Sequence, residues 1–410
     1  MIARTSRAFG PILSVTVPLL LIAGCGTSNA SGGSTKESKN YNVTFIGPMT
    51  GTNADLGIRP ADAVQVLVDR INGEGGVKRP DGSYIKLKLT REDDQGTPQG
   101  QTQAIRKAAR NADALLGGMT SSPTIAGMDV AESEGIPYNI VGAISATIES
   151  KIKSKQMKFI FHSAPDAAAR ATADMQALLD LQKGRNFYMV SQDTDYGRDM
   201  VNSATNYLKQ TAPDASITSA YVAPGTTQYS TELLKISNST PKPDVIYTLL
   251  TGQEMLSFMQ QKHSAGVTGL VYGGSSTPSS NIYIKTLGPV VAEGTVTNSI
   301  WIPAMSGQAG KTFADAYQKS TGRAPADVEA QAYDGALMLI NAIQNAKSLT
   351  KVDVAAALLN AKADGLRGPN TFDPKTHGTP NLTFLVTQIQ GGTFVPVWPK
   401  QYATGQLKTS

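Results

Sequence analysis

From Tyr41 onward, short apolar runs alternate with stretches whose apolar residues recur every three to four positions. Tyr41 to Ile46 predicts a strand that ends at Gly47-Pro48. Ala61 to Ile71 predicts a helix, because Val64, Leu67, Val68 and Ile71 fall on one stripe. Gly73-Glu74-Gly75-Gly76 breaks it. Ile85, Leu87 and Leu89 alternate with lysines, the pattern of a half-exposed strand. Thr97-Pro98 reads as a helix N-cap followed by proline at the first helical position. Further strands are predicted at Ala112 to Leu116, Pro137 to Val141, Phe187 to Ser191, Val245 to Leu250 and Leu270 to Tyr272. Ser122-Pro123 opens another helix. Late helices run from Asp334 to Ala346, with Leu337, Ile340 and Ile343 inward, and from Val352 to Asn360. Leu382 to Val397 reads as two adjacent strands joined at Gly391-Gly392. Such alternation implies an α/β fold with parallel sheets covered on both faces, and two successive series of units imply two lobes.

The first forty residues follow a different pattern. Arg4 and Arg7 precede an uncharged apolar stretch from Pro11 to Ala23, and Ala23-Gly24-Cys25 follows. This is the layout of a secretory signal. The stretch is shorter than the roughly 20 residues that a spanning helix needs. Removing the signal takes Arg4 and Arg7 away and lowers the formal charge of +5 by two. Gly26 to Ser34 is a flexible Gly/Ser/Asn/Thr tether.

Composition narrows the function. The 410 residues suffice for two domains, and 40% hydrophobic residues suffice for a core in each. The pI near 9.0 comes without a Lys/Arg block or a basic run with interleaved aromatics, so nucleic acid is not the expected partner. Cys25 is the sole cysteine, which excludes an internal disulfide and a cysteine-based zinc site. His162, His263 and His377 are widely spaced, so neither metal nor cofactor is expected. No dinucleotide fingerprint, phosphate loop or nucleophile elbow occurs, which argues against an enzyme.

Candidate chemistry lies at strand-to-helix turns, where open α/β sheets bind ligands. At Leu116 to Thr124 two glycines turn the chain into a hydroxyl-rich helix start containing Ser121 and Ser122. Unpaired N–H groups and these hydroxyls suit a carboxylate. A plain helix cap by Ser122 explains the same residues, and both readings stay open. The turn Val141 to Thr147 offers Gly142, Ala143 and Ser145, small enough for close approach by a ligand. In Ser191 to Gly197, Tyr196 could cover a ligand and an Asp could meet a cation, but a capped turn with solvated acids is the preferred reading of each Asp. Thr251 and Ser275 stand at equivalent places further along.

These residues resemble the leucine/isoleucine/valine-type substrate-binding proteins of ABC transporters, with the class I periplasmic-binding-protein fold. The resemblance rests on Val43 to Gly51, Asp69 to Val77, Gly117 to Thr124, Glu134 to Pro137, Asp195 to Gly197 and Tyr333-Asp334, and it spans Tyr41 to Trp398. Ile22-Ala23-Gly24-Cys25 resembles the bacterial lipobox, which implies a lipidated Cys25 after a signal peptide over 1–24, and a tether over 25–40. The resemblance implies two Rossmann-like lobes joined by three crossover strands, near His162 to Pro165, Asn298 to Pro303 and Gly368 to Asp373. The lobes are then 41–162 plus 299–370 and 163–298 plus 371–400, with a tail over 401–410. It implies a lipid-anchored monomer on the outer face of the membrane that delivers a small solute to an ABC permease. A sensing module for a membrane receptor is the alternative use of the same fold. By resemblance, Ser121 and Ser122 hold the ligand's α-carboxylate, the turn Gly142 to Ser145 contacts it, and Tyr196 is the tyrosine of the YG turn. Amino-acid binders of this type use a second-lobe glutamate for the ammonium and a tyrosine nearby, where this chain has Ser275 and Thr251. Either Asp193, Asp195 or Glu254 replaces the glutamate, or the ligand is not an ordinary amino acid. The cysteine pair of some members is also missing.

Overall fold

The computed structural model describes residues 39–181, 184–380 and 382–408. The signal, the lipobox cysteine Cys25 and most of the tether lie outside the described residues. Lys39 and Asn40, assigned above to the tether, already belong to the first strand.

The first lobe runs β1 (Lys39–Gly47), α1 (Asp55–Gly73), β2 (Val77–Lys78), β3 (Tyr84–Asp93), α2 (Pro98–Ala108), β4 (Ala114–Gly117), α3 (Ser121–Ser133), β5 (Tyr138–Ile140), α4 (Ala146–Lys155) and β6 (Ile160–His162). Its sheet has the order β2-β3-β1-β4-β5-β6, parallel except for β2. The second lobe continues with α5 (Ala167–Asp180), β7 (Asn186–Gln192), α6 (Asp195–Thr211), β8 (Ser216–Val222), α7 (Ser230–Asn238), β9 (Val245–Leu249), α8 (Gln253–Ser264), β10 (Leu270–Gly273), α9 (Asn281–Ala292) and β11 (Val296–Ser299). The chain then returns to the first lobe with α10 (Gly307–Thr321), α11 (Asp327–Asn345), α12 (Lys351–Leu359) and the hairpin β12 (Ala363–Gly365) and β13 (Gly368–Asn370). Finally β14 (Leu385–Gln390) and β15 (Thr393–Trp398) add antiparallel to the second sheet, whose order is β15-β14-β11-β10-β9-β7-β8.

Burial on both faces explains the apolar strands. Along β1, Tyr41, Val43 and Phe45 join the cluster under α1, α11 and α12, while Ile46 faces the cluster under α2, α3 and α4. The second lobe repeats this. Phe187 and Met189 of β7 pack toward α5 and α6, whereas Tyr188 and Val190 pack toward α7 and α8. Residues 38–410 form one compact unit.

The third crossing departs from expectation. Phe372 sits in the first-lobe core, 5.4 Å from the Phe161 ring. His377 stacks on Phe161 and accepts a backbone bond from His162 N at 2.8 Å. Residues 372–379 therefore run beside β6, and the chain reaches the second sheet at Leu385, not at Gly368 to Asp373. Gly368 to Asn370 is a hairpin strand, tied down because the buried Asp334 carboxylate accepts from Leu366 N (2.6 Å) and Arg367 N (3.0 Å). The tail docks on the second lobe: Lys408 N donates to Gln388 Oε1 at 2.8 Å and Leu407 packs on the second-lobe core.

Candidate functional site

In the first sheet β1 lies between β3 and β4, and in the second β7 lies between β8 and β9. At such switch points successive connections depart to opposite sides and leave a crevice beyond the strand ends. A cavity of about 450 Å³ occupies that place between the lobes. The turns after β1, β4 and β5 supply Asn53, Thr120 to Ser122 and Gly142 to Ile144. The turns after β7, β9 and β10 supply Gln192 to Thr194, Thr251 and Ser275-Ser276. Arg170 from α5 and Tyr196 from α6 complete the second-lobe wall, while Leu56, Met119, Ile144 and Val328 give apolar surface.

The sequence-derived residues divide into two groups. Ser121, Ser122, Gly142, Ala143, Tyr196, Thr251 and Ser275 all line the cavity; Ser145 does not. Ser145 Oγ instead accepts from Thr147 N at 3.2 Å as the cap of α4 and donates to Asp199 of the other lobe. Ser122 is not a helix cap either. The cap position is Thr120, and Ser121 and Ser122 are the first helical residues. Ser121 Oγ accepts from Ile144 N (3.3 Å) and Ser145 N (3.2 Å), which ties the two first-lobe turns together and leaves its own proton to donate. Gly142 is required by space: a Cβ there would lie 2.8 Å from the backbone Cα of Met119. The Ala143 carbonyl accepts from His162 Nε2 at 2.8 Å, so the end of β6 orients this turn.

Several of these groups bond across the cleft. Ser122 Oγ accepts from Asp195 N at 3.2 Å. Thr251 Oγ1 donates to Asn53 Oδ1 at 3.0 Å, and Gln253 N donates to Thr52 O at 3.3 Å. Gly252 lies between the last two; a Cβ there would come within 2.3 Å of Thr52 O. Ser275 Oγ is used within its own lobe, donating to Leu250 O at 2.7 Å.

The acids considered as ammonium partners are otherwise engaged. Asp193 lines the cavity but pairs with Arg198 at 2.6 Å on the exposed rim. Asp195 is exposed and contributes its backbone N–H. Glu254 is buried behind the wall, where Gln192 Nε2 and Gly225 N donate to it; burial raises its carboxyl pKa above the ordinary value. The charged group that does reach the wall from the interior is Arg170, 5% exposed. Its Nε and Nη2 are buried without a hydrogen-bond partner among the described residues, as are Tyr196 Oη and Thr120 Oγ1 on the same cavity. Burial pushes the Tyr196 phenol well above its usual pKa, so it stays a neutral donor.

A family model described as a periplasmic binding protein matches residues 40–393. The chain belongs to that family. Among curated relatives, the Leu/Ile/Val-binding protein homolog 7 of Brucella melitensis is 23% identical over 408 residues, covering 92% of this chain and 96% of its own. Two solved structures share the fold at 18% identity and a TM-score of 0.76. One is the branched-chain amino acid transporter substrate binding protein LivJ of Streptococcus pneumoniae with isoleucine, covering 88% of this chain and 100% of its own. The other is an ABC transporter solute binding protein of R. palustris with benzoate, covering 90% and 98%. The curated relatives are named as binding proteins rather than enzymes, in agreement with the missing catalytic motifs.

In this periplasmic binding protein, sequence reasoning missed Arg170, Asn53, Gln192 and Thr120. Arg170 had one available signal. It lies on the buried side of α5 with Ala167, Ala171 and Asp174, a charged residue where an amphipathic helix places alanine or leucine.

Proposed function

We propose that this periplasmic binding protein is exported, is held at the membrane by a lipid on Cys25, and captures an amino acid or related small carboxylate for an ABC permease. The supporting observation is the cavity of about 450 Å³ shared by two lobes that hydrogen-bond to each other around its rim. Solute docks on the first lobe, where the Ser121 and Ser122 hydroxyls and the Gly142-Ala143 turn face its carboxylate. The second lobe then closes, bringing Tyr196, Thr251 and Ser275 over it and expelling water. Ligand shifts the population toward the closed form, which the permease recognises. The protein acts as a monomer.

A thermal-shift screen of residues 26–410, unfolded and refolded to strip bound solute, tests this reading. Amino acids, amides and simple carboxylates form the panel. A solute at about 100 times its Kd adds roughly 2.7 kcal/mol, an easily seen shift. A protein that is stabilised by none of them, and that yields no small molecule when purified without unfolding, is not a solute-binding protein of this kind. Anchoring has its own check: a labelled fatty acid is incorporated by the full chain and not by Cys25→Ala.

A further inference from the structure

We infer that Arg170 is the counter-ion of the solute, and that the solute carries a carboxylate with no ammonium group beside it. This assignment rests on the capture reading above and sharpens it.

Among the described residues, the wall of the cavity carries one buried charge, the Arg170 guanidinium. The buried acids Asp174 and Asp327 stand near enough for their fields to reach it, and neither lines the cavity. Both are occupied by neutral donors. Asp174, one turn further along α5, accepts from Tyr247 Oη at 2.6 Å, Tyr272 Oη at 2.8 Å and Asn298 Nδ2. Asp327 accepts from Ser279 Oγ at 2.8 Å. These clamps hold the acids behind the wall and leave Nε and Nη2 of Arg170 without a protein acceptor. Nε and Nη2 are adjacent donors on one edge of the guanidinium, the edge that meets the two oxygens of a carboxylate side by side. Tyr196 Oη, which shares the cavity and lies in the field of the same guanidinium, has a proton to give to the same group. A buried guanidinium with unused donors is costly, and a carboxylate satisfies it. An ammonium beside that carboxylate would find no counterpart: Asp193 is paired with Arg198, and Glu254 is enclosed by Gln192 and Gly225. The apolar side chains of Leu56, Met119, Ile144 and Val328 suit a hydrocarbon body.

Titration calorimetry with two matched pairs decides this. Benzoate against benzamide isolates the negative charge, and 4-methylpentanoate against leucine isolates the ammonium. For the wild-type protein, each carboxylate binds at least tenfold more tightly than its partner. Arg170→Gln lowers benzoate affinity at least tenfold and leaves benzamide within twofold, while Arg170→Lys falls between. The benzoate-to-benzamide ratio is the readout that separates a ligand counter-ion from a structural arginine, because a purely structural loss would weaken both alike. Leucine binding more tightly than 4-methylpentanoate, or Arg170→Gln leaving benzoate affinity within twofold, overturns the assignment and leaves solute capture standing. Wild-type protein that binds neither carboxylate also overturns it. Capture itself falls only if native mass spectrometry of protein purified without unfolding shows no bound small molecule either.

Discussion

The two walls of the cleft use polar groups in opposite ways. On the first lobe, the hydroxyls of Ser121 and Ser122 already accept backbone N–H bonds, the first within its lobe and the second across the cleft. On the second, Arg170 and Tyr196 present donors that no described residue accepts. Thr120 is the first-lobe exception. The first wall thus sets the shape of the turns and part of the seam between the lobes while keeping its hydroxyl protons for a solute, and the second adds the unused cationic donors on which the proposed choice of a carboxylate rests.

Breaking closure has the largest expected effect. Gly252 has φ +53° and meets Thr52 O across the seam, so Gly252→Val holds the lobes apart. Solute affinity should fall on the order of 100-fold, as when a few kcal/mol of closing free energy is lost. Calorimetry with any solute that stabilises the wild-type protein checks it.

Next comes the support behind the second wall. Burial raises the Asp174 carboxyl to about 6 in the folded protein, above an unfolded value near 3.9. A raised acid pKa contributes stability below about pH 4, and that contribution is lost as pH rises through about 6. The stability of wild type minus that of Asp174→Asn should therefore fall by about 2–3 kcal/mol between pH 4 and pH 7. Urea unfolding of both proteins at the two pH values measures it, and a difference independent of pH contradicts the shift.

The first wall should respond less, and unequally. Ser121→Ala strands the buried N–H groups of Ile144 and Ser145 and should cost about 1–3 kcal/mol of stability. Ser122→Ala removes an acceptor from the solvent-exposed Asp195 N–H and should cost about 0.5 kcal/mol. Chemical denaturation ranks the two; a larger loss for Ser122→Ala would reverse the roles given to these serines.

Much of the fold is legible in the sequence, because parallel strands buried on both faces must be apolar and their helices must carry a stripe. The run Tyr41 to Ile46 and the stripe Val64, Leu67, Val68, Ile71 show both. The serine turn is legible for a local reason, since a strand end, two glycines and a helix start are contiguous. The third crossing is not, because residues 372–379 are held by ring stacking and backbone bonds to β6 rather than by an apolar run of their own. Ser145 was misplaced because its position beside Gly142-Ala143 says nothing of Asp199, 54 residues away. Arg170 was missed for a similar reason. Its unused donors depend on Asp174 being held by Tyr247, Tyr272 and Asn298, residues from three strands distant in sequence from α5.

Small-angle scattering from residues 26–410, stripped of solute and then given a solute that raises its melting temperature, tests hinge capture most directly. Closure of two lobes on a shared cavity predicts a smaller radius of gyration with solute, and no such change in Gly252→Val. A solute that raises the wild-type melting temperature without compacting the protein would contradict it.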